Sequence, residues 1–252
     1  MRPLLVLNPN TSEDVTRALL ERAHARGDAG VHWLGCTAAF GARYISGEVA
    51  AALAAHAALE AYAAHAAEHG EPAAALLACF GDPGLFALRA LARVPVLGLA
   101  EVSMRAAAQQ GPFVVVTGGA RWEPMLWRLA RALELDAALC GITTVEASGS
   151  ELAADPARAE ATLRVACATA LERWPQARSL LLGGAALGGM ARAVGDGLHV
   201  PVLDSVDLAL GALRDAALAA DTAAASTERP STEPGPWSGL SPTLAARLVS
   251  GP

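Results

Sequence analysis

The sequence predicts an α/β fold of two similar lobes, each a parallel sheet flanked by helices. Short apolar segments that are typical of buried strands alternate with longer helical segments, which is the order expected of a parallel sheet covered by helices. The second half then repeats the pattern of the first; residues 94–98 read VPVLG and residues 200–204 read VPVLD. A repeat of this length indicates two lobes related by a pseudo-twofold axis, with a ligand cleft between the carboxyl ends of both sheets.

In the first half, glycine and proline clusters separate the elements. The alanine-rich segment of residues 48–69 has a strong helix propensity. Residues 35–47, which precede it, are expected to form a loop or broken segment. Strands are predicted at residues 4–7, 31–34, 73–79 and 94–98, and helices at residues 12–26, 48–69, 85–92 and from residue 101.

The second half follows the same order. Strands are predicted at residues 113–116, 142–145, 179–183 and 200–204, and helices at residues 122–133 and 155–174. After residue 220 the composition turns to Ser, Thr, Pro and Glu, so we expect a solvated loop over residues 222–236 and a short final helix within residues 237–248. The first lobe is thus expected to comprise residues 1–100 and 205–252, and the second residues 101–204.

Composition excludes several classes of partner. The net charge is −6 and no basic cluster is present, which argues against nucleic acid as a ligand. No apolar run approaches the roughly 20 residues that span a bilayer. A strand is predicted directly after Met1-Arg2-Pro3, so we expect no signal peptide. The four cysteines lie far apart without a CxxC pair, so we expect neither a metal site nor a disulfide framework, but a reduced cytoplasmic protein.

One thiol stands at a place where α/β proteins carry out chemistry. The apolar run 73–79 ends in Cys79 and is followed by Gly81-Asp82-Pro83-Gly84, so Cys79 is expected at the carboxyl end of a strand, where ligands bind. A catalytic thiol and a small buried hydrophobe are both compatible with this position. If Cys79 is catalytic, the backbone N–H groups of residues 81–85 are expected to lower its pKa.

Polar turns follow the first strand of each half. Asn8, Asn10 and Thr11 could bind a carboxylate or a ring carbonyl, or they could serve as turn residues, with Thr11 or Ser12 capping the next helix. Thr117 and the glycines after it occupy the equivalent turn of the second half, where backbone N–H groups suit an oxyanion.

Several segments together resemble the aspartate/glutamate/hydantoin racemase superfamily, and most closely its hydantoin racemase branch. They are NPNTS at 8–12, GARYI at 41–45, CFGDPGL at 79–85, GLAE at 98–101, VVT at 115–117 with RW at 121–122, and LGG at 182–184. The resemblance covers about residues 3–215. It implies a cofactor-independent, homo-oligomeric enzyme that acts on a carbon next to a carbonyl, without metal, nucleotide or pyridoxal. It also implies that Cys79 is catalytic. The residues it assigns to substrate binding are Asn8, Asn10, Thr11, Phe80, Gly81, Thr117, Gly118, Gly183 and Gly184.

The sequence departs from this family at two positions, and the first of them, Gly184, matters for mechanism. Relatives usually carry a second cysteine where this chain has Gly184, and a hydroxyl residue where it has Gly118. We therefore expect a racemase or epimerase for a hydantoin-like ring or an amino acid derivative, with water or another side chain near Gly184 returning the proton. The alternatives are a single-cysteine decarboxylase or lyase and a non-catalytic small-molecule-binding protein. Arg43 and Tyr44 are expected to help close the pocket.

Overall fold

The computed structural model describes residues 2–222 and 235–249 of the chain, without the side chains of residues 150 and 220–222. The strands are β1 Leu4–Asn8, β2 Trp33–Thr37, β3 Ala74–Leu77, β4 Val96–Gly98, β5 Phe113–Gly118, β6 Leu139–Val145, β7 Ser179–Gly183 and β8 Val202–Asp204. The helices are α1 Glu13–Ala25, α2 Glu48–His69, α3 Leu85–Leu91, α4 Leu99–Gln110, α5 Trp122–Ala132, α6 Gly149–Ala154, α7 Pro156–Arg173, α8 Ala191–Gly195, α9 Ser205–Thr222 and α10 Pro242–Val249.

The strands form two parallel four-stranded sheets of the same order, β2-β1-β3-β4 and β6-β5-β7-β8. The two-lobed α/β prediction is therefore confirmed. The central strands are buried along their whole length, as expected where helices cover both faces. Leu7 of β1 lies opposite Leu77 of β3, and Thr117 of β5 lies opposite Gly183 of β7. This register brings the turns after the two middle strands of each sheet side by side.

The two helices that follow the last strands of the sheets join the lobes. Helix α4 begins directly after β4 but packs against β7, and α9 begins directly after β8 but packs against β3. The two helices also pack against each other, and one hydrophobic cluster includes Leu4 and Leu76 from the first sheet, Phe113 and Leu181 from the second, and Met104 between them. This reciprocal exchange holds the carboxyl edges of the two sheets across one cleft.

Some element boundaries differ from the predicted ones. Strand β2 lies at Trp33–Thr37 rather than residues 31–34, because pairing with β1 sets Trp33 opposite Leu4 and Thr37 opposite Asn8. Helix α6 was not predicted; Ser148 and Glu151 start it with a reciprocal capping box.

At the carboxyl end, α10 starts within the region where a final helix was expected, ends one residue beyond it, and packs against α2 of the first lobe. The loop predicted over residues 222–236 falls almost entirely outside the described residues. Within the described parts of the chain, no helix is both long and apolar enough to cross a membrane.

Candidate active site

A cavity of about 190 Å³ lies between the carboxyl ends of the two sheets. By the same measure a single water needs only about 10–15 Å³, so the cavity has room for a small organic molecule. Both lobes line it. The lining residues are Asn10, Ser12, Val15, Arg43, Tyr44, Ile45, Ala78, Cys79, Phe80, Thr117, Gly118, Trp122, Gly149, Gly183, Gly184, Ala185, Ala186 and Leu187.

Cys79 lies two residues beyond the end of β3 and is 7% exposed. Its backbone N–H donates to the Leu77 carbonyl at 3.1 Å, which closes a tight turn and directs the chain away from the sheet. Burial raises the pKa of the Cys79 thiol well above its ordinary value, and the carboxylate of Asp82 raises it further. The expectation of a lowered thiol pKa is therefore wrong, because burial and a neighbouring negative charge both disfavour the thiolate.

Asp82 fixes the turn that carries Cys79. Its backbone lies in the left-handed region at φ 47°, which aspartate tolerates better than most residues, and its N–H donates to the Cys79 carbonyl at 3.0 Å. The buried carboxylate accepts the backbone N–H groups of Ala100 and Glu101 at 3.0 and 2.7 Å, at the start of α4. Burial nevertheless raises the pKa of Asp82 to about 7. The thiol turn and the first turn of α4 therefore form one buried unit.

The first N–H groups of α9 are also bound by an aspartate, but that aspartate stands directly before the helix. Gly98 precedes α4, and a side chain there would collide with the Asp82 carboxylate. Asp204 holds the equivalent position before α9 and accepts the N–H groups of Val206 and Asp207 at 3.0 and 3.2 Å. Asp204 thus caps α9, and it also accepts the N–H of Gly189.

The turn after β1 divides its polar residues between structure and cavity. The Asn8 amide is fully buried, and its Nδ2, which has two N–H groups, lies 3.0 Å from each of three acceptors, Asn10 Oδ1, the Ser12 carbonyl and Thr16 Oγ1. Asn10 and Ser12 line the cavity. Although Ser12 stands at the N-cap of α1, its hydroxyl does not cap the helix. Both Ser12 and Thr11 suit a turn before a helix, so residue type does not distinguish which of them faces the cavity.

Two aromatic rings cross between the lobes beside Cys79. Phe80 of the first lobe lies over Gly183 of the second, and Trp122 of the second lobe lies over Gly81 of the first. In both cases an added Cβ would penetrate the ring, so glycine is needed for the close approach. Phe80 and Trp122 are 5% and 6% exposed, and they close the cavity around the thiol.

Gly184 takes the position that matches Cys79 in the second lobe. Its φ of +151° disfavours any side chain, and an added Cβ would lie 3.1 Å from Leu187 Cγ. Its N–H donates to the Ser205 hydroxyl at 3.3 Å. The second lobe therefore offers the cavity backbone at this position, and no thiol.

Seven of the ten residues predicted for the site line the cavity: Asn10, Cys79, Phe80, Thr117, Gly118, Gly183 and Gly184. Asn8, Thr11 and Gly81 do not line it. The other lining residues are Ser12, Val15, Arg43, Tyr44, Ile45, Ala78, Trp122, Gly149, Ala185, Ala186 and Leu187. Five of them, Ser12, Arg43, Tyr44, Ile45 and Trp122, belong to the motifs that carry the family resemblance. Cys36 is elsewhere; its thiol faces the Ala61 carbonyl at 3.7 Å.

Residues 4–213 match the Asp/Glu/Hydantoin racemase family. A hydantoin racemase from Paenarthrobacter aurescens is 31% identical over 207 residues, which cover 82% of this chain and 87% of that protein. An allantoin racemase from Klebsiella pneumoniae has a TM-score of 0.81 and 28% identity, covering 90% of this chain and 91% of the other. For an allantoin racemase from Pseudomonas fluorescens the TM-score is 0.82 at 26% identity, with 95% and 100% covered. The chain therefore belongs to the Asp/Glu/hydantoin racemase family and is an isomerase of the racemase type.

Proposed function

We propose that the protein racemises a 5-substituted hydantoin-type ring without a cofactor, and that Cys79 exchanges the proton at the ring carbon. The observation that carries the proposal is the position of Cys79, which is the one cysteine among the residues that line the described cavity. The relatives that cover most of this chain are named for hydantoin and allantoin, and allantoin is itself a 5-substituted hydantoin.

The polar groups of the cavity suit such a ring. A hydantoin alternates carbonyl and N–H groups around a flat five-membered ring, so it needs both donors and acceptors from the protein. Asn10 offers an amide, while Ser12 and Thr117 offer hydroxyls that can donate or accept. Val15, Ile45 and Trp122 supply an apolar wall that suits the ring substituent.

Proton removal from the ring carbon leaves negative charge on the adjacent carbonyl oxygen. Backbone N–H groups of the turn at Gly118 would stabilise this charge, as oxyanion donors do elsewhere. Burial raises the pKa of the Cys79 thiol and so favours its protonated form, in which Cys79 serves as the acid in one direction of the reaction. The thiolate, whose fraction grows as the pH rises, serves as the base in the other direction.

The test follows both enantiomers of allantoin and of a 5-alkylhydantoin in heavy water, with optical rotation and deuterium incorporation at the ring carbon recorded together. Enzyme-free samples measure spontaneous exchange. Cys79→Ala should abolish the catalysed reaction, and Cys36→Ala, the matched control outside the cavity, should retain it. Full turnover by folded Cys79→Ala would contradict the proposal. Release of carbon dioxide from a malonate-type acid would indicate the decarboxylase alternative, and binding without exchange would indicate a non-catalytic protein.

A further inference from the structure

Racemisation requires proton transfer on two opposite faces of one carbon, and Gly184 leaves the second face without a thiol. The inference below rests on the proposed function. Among the described side chains that line the cavity, three belong to residue types with an ionisable group: Arg43, Tyr44 and Cys79. Arg43 does not release its proton in proteins, and the hydroxyl of Thr117 is a far weaker acid than a phenol. Tyr44 is therefore the remaining side chain that could act opposite Cys79.

Tyr44 belongs to the first lobe, but its phenol reaches the second. The Tyr44 oxygen accepts the backbone N–H of Gly149, at the start of α6, at 3.2 Å. An added Cβ at Gly149 would lie 3.6 Å from Tyr44 Cε2 and equally 3.6 Å from the Cβ of Ala186. Ala186 is two residues beyond Gly184, in the 3₁₀ turn that Gly184 begins. An added Cβ at Gly119 would likewise lie 3.3 Å from the Tyr44 oxygen. The phenol thus lies against the second-lobe wall of the cavity, near the 3₁₀ turn that Gly184 begins.

We infer that Tyr44 is the second proton-transfer group and takes the place of the thiol that Gly184 lacks. Since the phenol oxygen accepts the N–H of Gly149, its own proton stays available for donation toward the cavity. The same N–H stabilises the phenolate after the proton has left. The other hydroxyl-bearing residues of the cavity, Ser12 and Thr117, lack this acidity.

The reaction balances without a further reactant. The Cys79 thiolate takes the proton from the ring carbon, an S–H bond forms, and the electron pair of the broken C–H bond passes to the adjacent carbonyl. Tyr44 then donates its phenolic proton to the opposite face, so that a new C–H bond forms and a phenolate remains. Proton exchange with water restores the thiolate and the phenol. The other enantiomer reacts in the reverse sense, with the Tyr44 phenolate as base and the Cys79 thiol as acid.

Tyr44→Phe tests this assignment because it removes the hydroxyl and keeps the ring. Tyr62→Phe is the matched control, since Tyr62 is the chain's other tyrosine and its hydroxyl donates to Glu71 at 2.7 Å, outside the cavity. We expect Tyr44→Phe to slow racemisation by roughly 10²- to 10⁴-fold, the usual contribution of a general acid–base group. The enantiomer whose hydrogen faces Cys79 should still exchange with deuterium and keep its configuration, within about tenfold of the wild-type rate.

The other outcomes overturn the inference in distinct ways. If exchange of both enantiomers falls equally, Tyr44 binds substrate or closes the site. If racemisation stays within about threefold of the wild-type rate, water supplies the second proton. A wild-type protein that exchanges neither enantiomer overturns the proposed function, and this inference with it. Should Tyr44→Phe fail to fold, fluorotyrosine is incorporated into the Tyr62→Phe variant, where Tyr44 is the one remaining tyrosine and so the one phenol that changes. The pH profile of racemisation must then shift to lower pH. An unchanged profile refutes the assignment.

Discussion

The ring of Phe80 fills the space in which a side chain on Gly183 would stand. Trp122 makes the reciprocal contact with Gly81, so an aromatic ring of each lobe packs against a glycine of the other lobe. Both contacts flank the Cys79 turn, and both rings are almost fully buried. The closeness of the lobes at the site therefore depends on two residues having no side chain.

Gly183→Ala should destabilise the protein by about 1–3 kcal/mol, the usual cost of overpacking a core. The new methyl group must displace Phe80, which also lines the cavity, so the racemisation rate should fall as well. Urea unfolding measures the first effect and polarimetry the second. Gly47→Ala is the control, because an added Cβ there meets only Arg121 Cδ at 3.8 Å and the backbone is extended. Equal losses in the two variants would refute the packing argument.

Asp82→Asn should increase the reactivity of Cys79 toward iodoacetamide between pH 7 and 9. The carboxylate raises the pKa of the thiol, so removing the charge lowers that pKa and enlarges the thiolate fraction; each pKa unit is worth about tenfold in rate. Mass spectrometry of the labelled protein follows every cysteine separately. Cys36, whose pKa is raised by burial alone, serves as an internal control. A Cys79 labelling rate that does not change would show that burial alone sets the thiol pKa.

Asp82 should also make stability fall as the pH rises from about 4 to about 7. Its pKa of about 7 in the folded state lies above the ordinary aspartate value of about 3.9. In that interval the folded protein keeps a proton that the unfolded chain releases, so the contribution of Asp82 is complete below pH 4 and is lost through pH 7. Glu101 and Arg89, which pair beside it, oppose each other in their effects on this pKa.

The measurement is the difference in unfolding free energy between wild type and Asp82→Asn, taken in urea at pH 4.5 and pH 8. Relative to wild type, Asp82→Asn should be more stable at pH 8 than it is at pH 4.5. Asp136→Asn, which makes the same change at an exposed carboxylate, is the matched control. If the wild type instead gains stability over Asp82→Asn at pH 8, the two N–H groups that bind the carboxylate lower its pKa more than burial raises it.

The sequence alone was sufficient to place Cys79 at the edge of its sheet, because an apolar strand followed by a glycine-rich turn is a local pattern. The direction of the thiol pKa was not accessible in this way. It depends on Phe80 and Trp122 closing over the thiol and on an Asp82 side chain turned toward α4. Trp122 and α4 are distant from Cys79 in the chain, and the periodicity of a sequence does not predict contacts of this kind.

The same distinction explains the other differences. The repeat of VPVLG as VPVLD revealed the two lobes, since both copies obey the same strand pattern. The register of β2 was missed because pairing with β1 decides it, and the role of Asn8 in the turn was undecided because asparagine suits a turn and a ligand equally. The contact between Tyr44 and Gly149 joins a loop of the first lobe to the start of α6 in the second, and only the folded chain brings the two together.

Gly184→Cys should restore racemisation to the Tyr44→Phe variant, because it returns a titratable group to the face that lost one. The φ of +151° and the nearby Leu187 make the substitution costly, by about 1–3 kcal/mol. Gly184→Ala is the matched control: it bears the same backbone and packing cost but cannot exchange a proton. In the Tyr44→Phe background, polarimetry should therefore show recovery with cysteine and none with alanine. Equal rates for the two would mean that Gly184 does not face the reacting carbon, and that the pseudo-twofold equivalence with Cys79 does not extend to the chemistry.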